Sequence, residues 1–132
     1  MIAIVDVSGI AQILFQTSKK GKFEAILQEA ALVLAPDLYV SELSNTLWKY
    51  CAKGIYTSEE CTQFIEDGLN YIDEYINSKD IWKEAFGESI RNNHPVYDMI
   101  YAVIARRNDG IVLTNDGDLA KICKKNNIKY CY

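Results

Sequence analysis

Four short apolar segments along the chain have the pattern of β-strands. Ile2–Val5 and Ile111–Leu113 are continuous apolar runs rich in β-branched residues, which is typical of strands covered on both faces of a parallel sheet. Ala31–Ala35 is a third run and stops at Pro36. Ile128–Tyr132 alternates apolar and polar residues, which indicates a strand at the edge of a sheet.

Between these strands the apolar residues recur at three- and four-residue steps, as on one face of a helix. The pattern predicts four helices, over residues 40–51, 57–77, 97–108 and 118–126. Gly54 is placed to end the first, and Thr57 with Glu60 forms a capping box at the start of the second. Alternating strands and helices predict an α/β fold in one domain, residues 1–132, with a parallel β-sheet sandwiched between α-helices.

The charge balance excludes one class of nucleic-acid-binding protein. Fourteen basic and eighteen acidic side chains in 132 residues give a net charge of −4. Proteins that coat nucleic acid by charge alone are usually strongly basic. No run reaches the ~18 apolar residues of a membrane span. The opening run meets Asp6 and has no basic leader, so it is predicted to be a strand and not a signal peptide.

The cysteines and the single histidine do not form a zinc pattern. Cys51, Cys61, Cys123 and Cys131 contain no Cys-x-x-Cys pair, and His94 is not at zinc-ligand spacing. A disulfide framework is not expected in a chain with this apolar content. The sequence therefore predicts reduced thiols in a cytoplasmic protein.

Four carboxylates are placed where the predicted fold brings them together. Two apolar strands run directly into Asp6 and Asp116, and the carboxyl ends of parallel strands border the ligand-binding crevice. Glu42 and Asp98 lie near the starts of two helices, which face that same end. Converging carboxylates repel one another unless a cation neutralises them. Oxygen ligands alone favour a hard cation such as Mg²⁺ or Mn²⁺.

Four blocks of the sequence resemble one protein family. They are residues 4–8 (IVDVS), 36–45 (PDLYVSELSN), 94–102 (HPVYDMIYA) and 113–119 (LTNDGDL). In these blocks and their order the whole chain resembles the PIN-domain nucleases, in particular the VapC-like toxins of bacterial and archaeal toxin–antitoxin pairs. The resemblance implies a single PIN-like domain, Mg²⁺- or Mn²⁺-dependent endoribonuclease activity, homodimers and inhibition by a small cognate antitoxin.

The resemblance also assigns the residues of the site. By position in the four blocks, the catalytic and metal-binding residues are Asp6, Glu42, Asp98 and Asp116, with Asn45 and Thr114 as supporting polar groups. The expected reaction is hydrolysis of RNA phosphodiester bonds by metal-activated water. Asp118 has two interpretations: it replaces Asp116 as a ligand, or it is the N-cap of the last helix. Asp116 is preferred because it directly follows the strand.

Other acidic residues and the histidine are predicted to have structural roles. Asp37 is interpreted as a helix cap just before Leu38. The acids of the helical stretch that contains Glu84 and Glu88 are interpreted as a solvated face. His94 is interpreted as a local residue bonded to nearby backbone, outside the chemistry.

The basic and aromatic residues are assigned by class. The aromatic residues predicted to make core or dimer contacts are Trp48, Trp82, Tyr97 and Tyr101. The basic residues available for RNA at the rim of the site are Lys19, Lys20, Lys22, Arg106, Arg107, Lys121, Lys124 and Lys125.

Two other functions compete with the nuclease. A different Mg²⁺-dependent phosphoryl-transfer domain, such as a receiver or a haloacid-dehalogenase-like phosphatase, is disfavoured. The first strand offers only Asp6, with no acidic pair and no Asp-x-Asp. A PIN-like protein acting in RNA processing, or as a non-catalytic binding module, stays open. Loss of a carboxylate would favour the binding module, and none of the four is missing.

Overall fold

The centre of the structure is a parallel β-sheet of five short strands. They are β1 (Ile2–Val5), β2 (Leu32–Pro36), β3 (Glu74–Ile76), β4 (Ile111–Leu113) and β5 (Lys129–Cys131). In the computed structural model, which describes residues 1–132, their order is β3-β2-β1-β4-β5. Ala3 of β1 lies opposite Val33 on one side and Ile111 on the other. The chain therefore changes direction across the sheet between β1 and β4, which makes that point the topological switch.

Seven α-helices cover the two faces of the sheet. They are α1 (Val7–Leu14), α2 (Lys20–Glu29), α3 (Leu38–Ala52), α4 (Ser58–Asn70), α5 (Trp82–Asn92), α6 (Val96–Arg107) and α7 (Gly117–Lys125). A 3₁₀ turn, Ser78–Asp80, precedes α5. None of the helices has the length and apolar character needed to span a membrane.

Alternate residues of the strands enter two separate hydrophobic cores. Ala3 and Val5 pack with residues of α1 to α4, whereas Ile4 packs with residues of α5, α6 and α7. This alternation follows from the two-residue period of a strand, and it explains why β1 is apolar at every position. The predicted α/β sandwich with a parallel sheet is confirmed.

The predicted strands and helices agree with the structure to different degrees. β1 and β4 have the predicted bounds, and β5 is an edge strand as expected. The Thr57–Glu60 capping box is present, and Gly54, with φ of 71°, ends the turn after α3. The predicted helix over residues 57–77 is wrong in its second half, because α4 ends at Asn70 and β3 follows it. β3 forms by pairing with β2, a tertiary contact that local periodicity does not contain.

Two structural predictions for acidic residues are also wrong. Asp37 precedes α3, but its side chain caps no helix N–H; it accepts hydrogen bonds from the Ser78 backbone and hydroxyl instead. Glu88 is buried rather than solvated, and its Oε1 lies 2.5 Å from Arg91 Nη1 and 2.8 Å from Arg106 Nη1. A buried carboxylate is tolerated there because two guanidinium groups neutralise it.

Candidate functional site

Asp6 stands at the carboxyl end of β1, at the topological switch point. Its backbone N–H donates to Leu113 O at 3.2 Å, so the ends of β1 and β4 are joined. Its side chain caps α1, with Oδ1 accepting from Gly9 N at 2.7 Å and from Ser8 Oγ at 2.7 Å. The hydroxyl of Thr114 donates to Oδ2. Both oxygens of the Asp6 carboxylate are therefore held by hydrogen bonds. Oδ1 is held by the first turn of α1, and Oδ2 is held by the residue that follows β4.

Burial sets the electrostatics of Asp6. The residue is only 7% exposed, and this desolvation raises the pKa of its carboxyl from 3.8 to about 6. The hydrogen bonds from Thr114, Ser8 and Gly9 oppose that rise, and repulsion from Asp116 adds to it. Because burial disfavours the charged form of Asp6, a cation close to the carboxylate would stabilise that form.

Gly9 permits the close approach of α1 to β4. A Cβ at this position would lie 2.5 Å from Leu113 O, far inside van der Waals contact. The same Cβ would lie 3.3 Å from Asp6 Oδ1. The absence of a side chain therefore keeps the Gly9 N–H within reach of the Asp6 carboxylate.

Thr114 and Ser8 connect Asp6 to the loop that follows β4. Thr114 is fully buried, and its Oγ1 accepts from Asp116 N at 3.0 Å and lies 3.1 Å from Ser8 Oγ. Ser8 Oγ also accepts from Asn115 N at 2.8 Å. Thr114 was predicted as a supporting group, whereas Ser8 was not. The signal for Ser8 was its place in the first turn after Asp6, where a hydroxyl reaches the capping carboxylate.

Asp116 and Asp118 lie at the start of α7. Asp116 is the N-cap, and its Oδ1 accepts from Asp118 N at 2.9 Å. The interpretation of Asp118 as the N-cap is therefore wrong; its carboxylate lies in the first turn of the helix and accepts no hydrogen bond. Repulsion from both carboxylates raises the pKa of Asp98.

Asp98 comes from the first turn of α6 and is paired with His94. His94 Nε2 lies 2.6 Å from Asp98 Oδ2, with the two side chains 17% and 25% exposed. Burial raises the pKa of Asp98, the hydrogen bond from His94 opposes this, and repulsion from Asp116 and Asp118 adds to it. The expectation that the His94 side chain bonds backbone is wrong, because the ring contacts a predicted site residue.

Glu42 reaches the crevice from the second turn of α3. Its Oε1 accepts from the hydroxyl of Tyr101 at 3.1 Å, and Tyr101 is 2% exposed. Burial raises the pKa of Glu42, and repulsion from Asp98 contributes in the same direction. Asn45, one turn further along α3, is exposed and makes no side-chain hydrogen bond. Tyr101 is a core residue as predicted, whereas Trp48, Trp82 and Tyr97 are each more than half exposed.

The four predicted acids lie near enough to influence the ionisation of their neighbours. Repulsion links Asp6 with Asp116, Asp116 with Asp98, and Asp98 with Glu42. No three Asp, Glu, His or Cys side chains stand close enough, as placed, to enclose an ion. Mg²⁺ needs no such cage, because it commonly binds one or two carboxylates and keeps several waters. The candidate ligand atoms are all carboxylate oxygens, and a positive charge would relieve their mutual repulsion. Such a set fits a hard divalent cation.

The basic residues predicted to contact RNA differ in whether a carboxylate neutralises them. Arg106 and Arg107 are paired with Glu84 at 2.6 and 2.7 Å, and Arg106 also bonds Glu88, so these arginines are largely neutralised. Lys19 has no acidic partner; its Nζ lies 2.6 Å from Asn115 Oδ1, beside Asp116, and 4.3 Å from the centre of the Tyr132 ring. Lys19 is therefore a cation beside Asp116 that forms no ion pair with a carboxylate.

Comparison with known proteins covers nearly the whole chain. No protein-family model matches the sequence. The chain is 26% identical over 123 residues to Ribonuclease VapC3 of Pyrobaculum aerophilum, across 92% of this chain and 94% of that protein. The resemblance to the VapC-like PIN nucleases is confirmed. The solved structure of PAE2754 from Pyrobaculum aerophilum shares the fold, with a TM-score of 0.74 and 16% identity over 92% of this chain and 84% of that one.

Proposed function

We propose that this protein is a Mg²⁺- or Mn²⁺-dependent endoribonuclease and the toxin of a toxin–antitoxin pair. The observation that carries the proposal is the placement of four carboxylates on four different elements, at the end of β1 and near the starts of α3, α6 and α7. We interpret this region as one acidic crevice at the switch point. The similarity to Ribonuclease VapC3 along 92% of the chain supports RNA as the substrate. The crevice belongs to one domain formed by residues 1–132.

The residues divide into holding and orienting groups. Asp6, Glu42, Asp98 and Asp116, or Asp118 in place of Asp116, would hold the divalent cation. The cation supplies Lewis-acid activation of water for attack at phosphorus. Ser8 and Thr114 fix the Asp6 carboxylate through hydrogen bonds, and Tyr101 fixes Glu42. Asn45 is free to contact substrate, because its side chain is exposed on the helix that carries Glu42.

Lys19 is the group best placed to receive the RNA backbone. It lies beside Asn115 and over the Tyr132 ring, and it has no carboxylate partner. A phosphate at this rim would meet a lysine on one side and the carboxylate-bound cation on the other. The exposed Tyr132 ring offers a surface on which a base can stack.

The proposal also includes an antitoxin partner, a homodimer and a location in the cytoplasm. Trp82, Phe86 and Ile90 recur at four-residue steps on α5 and are 58%, 56% and 68% exposed, an apolar stripe that suits a two-fold homodimer. The acidic crevice suits a basic segment of an inhibitory antitoxin, and four free thiols suit a reducing compartment.

The test is cleavage of structured RNAs by the purified protein, with Mn²⁺ and with EDTA. Asp98→Asn keeps the shape of the side chain but removes its charge, so cleavage should fall by at least about a hundredfold. Asp109→Asn is the matched control, since Asp109 is 90% exposed in the turn before β4 and should cleave as wild type does. Expression of wild type, but not of Asp98→Asn, should arrest growth. RNA binding without cleavage by the wild type would overturn the enzyme in favour of a binding module.

A further inference from the structure

His94 contacts the predicted site, although it is not one of the four predicted acidic residues. Its Nε2 lies 2.6 Å from Asp98 Oδ2, within normal hydrogen-bond distance, and both side chains are mostly buried. The geometry suits a hydrogen bond from the ring Nε2–H to the carboxylate oxygen. Asp98 Oδ1 accepts no hydrogen bond and is left free.

The backbone holds the ring of His94 in this position. Asn93 is in the left-handed conformation, with φ of 48°, and His94 N donates to Ser89 O at 3.1 Å, which closes the end of α5. Pro95 follows directly and is the N-cap residue of α6. The chain is therefore restricted on both sides of His94, so the ring is oriented before any ligand arrives.

We propose that His94 is a positioning residue that fixes the rotamer of Asp98 and leaves its Oδ1 available for the divalent cation. Hydrogen bonds to the outer oxygen of a ligating carboxylate orient it, and their loss commonly weakens metal binding or activity ten- to a hundredfold. The inference rests on the proposed function, because it assigns Asp98 to the cation. It does not make His94 a ligand or a base.

The experiment compares Mn²⁺ affinity in His94→Phe, His94→Gln and the wild type, measured by calorimetry well below the melting temperature. Phenylalanine keeps the ring without the donor, whereas glutamine can place an amide N–H near the position of Nε2. We expect the dissociation constant for Mn²⁺ to rise at least about tenfold in His94→Phe and to stay within about threefold in His94→Gln. RNA cleavage by His94→Phe should recover at saturating Mn²⁺, which a folding defect would not do.

The outcomes separate this inference from the function on which it rests. If the wild type binds Mn²⁺ and Asp98→Asn does not, the proposed function stands. An unchanged or tighter affinity in His94→Phe then overturns the role of His94 alone. If the wild type does not bind Mn²⁺, or if Asp98→Asn binds it equally well, both fall. Melting temperatures in EDTA show whether each variant is folded.

Discussion

The burial of Asp6 predicts that its removal stabilises the metal-free protein. The pKa of the folded-state carboxyl is about 6 and its ordinary value is 3.8. The folded protein therefore binds more protons than the unfolded chain between these values. This contribution to stability is fully present below about pH 3.8 and is lost as the pH rises through about 6. A difference of about two pKa units corresponds to about 3 kcal/mol of unfolding free energy at pH 8.

Asp6→Asn should recover most of that free energy. The amide oxygen can still accept from Gly9 N and Ser8 Oγ, whereas the amide nitrogen meets Thr114, whose hydroxyl must turn to accept. That rearrangement costs about 1 kcal/mol. We therefore expect Asp6→Asn to be about 2 kcal/mol more stable than the wild type at pH 8. The gain should disappear near pH 4.5, where the wild-type carboxyl is mostly protonated.

The assay is urea unfolding in EDTA at both pH values, analysed by linear extrapolation. Asp37→Asn is the control of opposite sign, because hydrogen bonds from Ser78 outweigh desolvation and lower the pKa of this exposed carboxyl. That stabilisation is present above about pH 3.8, so the control should lose up to about 1 kcal/mol at both pH 8 and pH 4.5. Equal stability of Asp6→Asn and wild type at pH 8, or a difference that does not change with pH, would refute the reasoning.

Two further predictions concern packing and assembly. Gly9→Ala should destabilise the protein, since the clash with Leu113 O costs about 1–3 kcal/mol and the better helix propensity returns only about 1. Gly87→Ala in α5 meets nothing within 4 Å and should instead stabilise it by up to about 1 kcal/mol, both measured by urea unfolding. Light scattering at roughly tens of micromolar should give a dimer for the wild type and a monomer for Phe86→Glu, and a monomeric wild type would contradict the dimer.

The sequence predicts the central part of the fold because short-range patterns of apolar residues specify that part. β1 and β4 are continuous apolar runs, and Asp6 and Thr114–Asp116 follow them directly, so the edge of the crevice could be placed before the structure was known. β3 could not be placed, because its three residues are largely exposed and are held by β2 and by the bond from Val33 N to Asp73 Oδ2 at 2.8 Å. α1 was also not predicted, since its apolar residues follow β1 after a single polar residue.

The orienting groups of the site escaped prediction for a related reason. His94 and Asp98 are four residues apart, which on a helix would bring them together, but Pro95 interrupts any helix between them. Their contact depends on the left-handed turn at Asn93. The bond between Tyr101 and Glu42 joins residues 59 positions apart, and it follows only from the way the sheet places α3 and α6 on its two faces. Periodicity identifies the carboxylates, whereas tertiary packing decides what orients them.

The ion pairs that join α5 to α6 affect how strongly the protein would bind RNA non-specifically. Glu84 and Glu88 occupy Arg106 and Arg107, whereas Lys19 and Lys22 form no ion pair with a carboxylate side chain. Two phosphate contacts on a single strand release few counterions, and affinity would fall only about sevenfold between 50 and 200 mM salt. A strongly basic protein loses about a thousandfold or more over that range. With so weak a dependence on salt, the protein would form few non-specific contacts with bulk RNA.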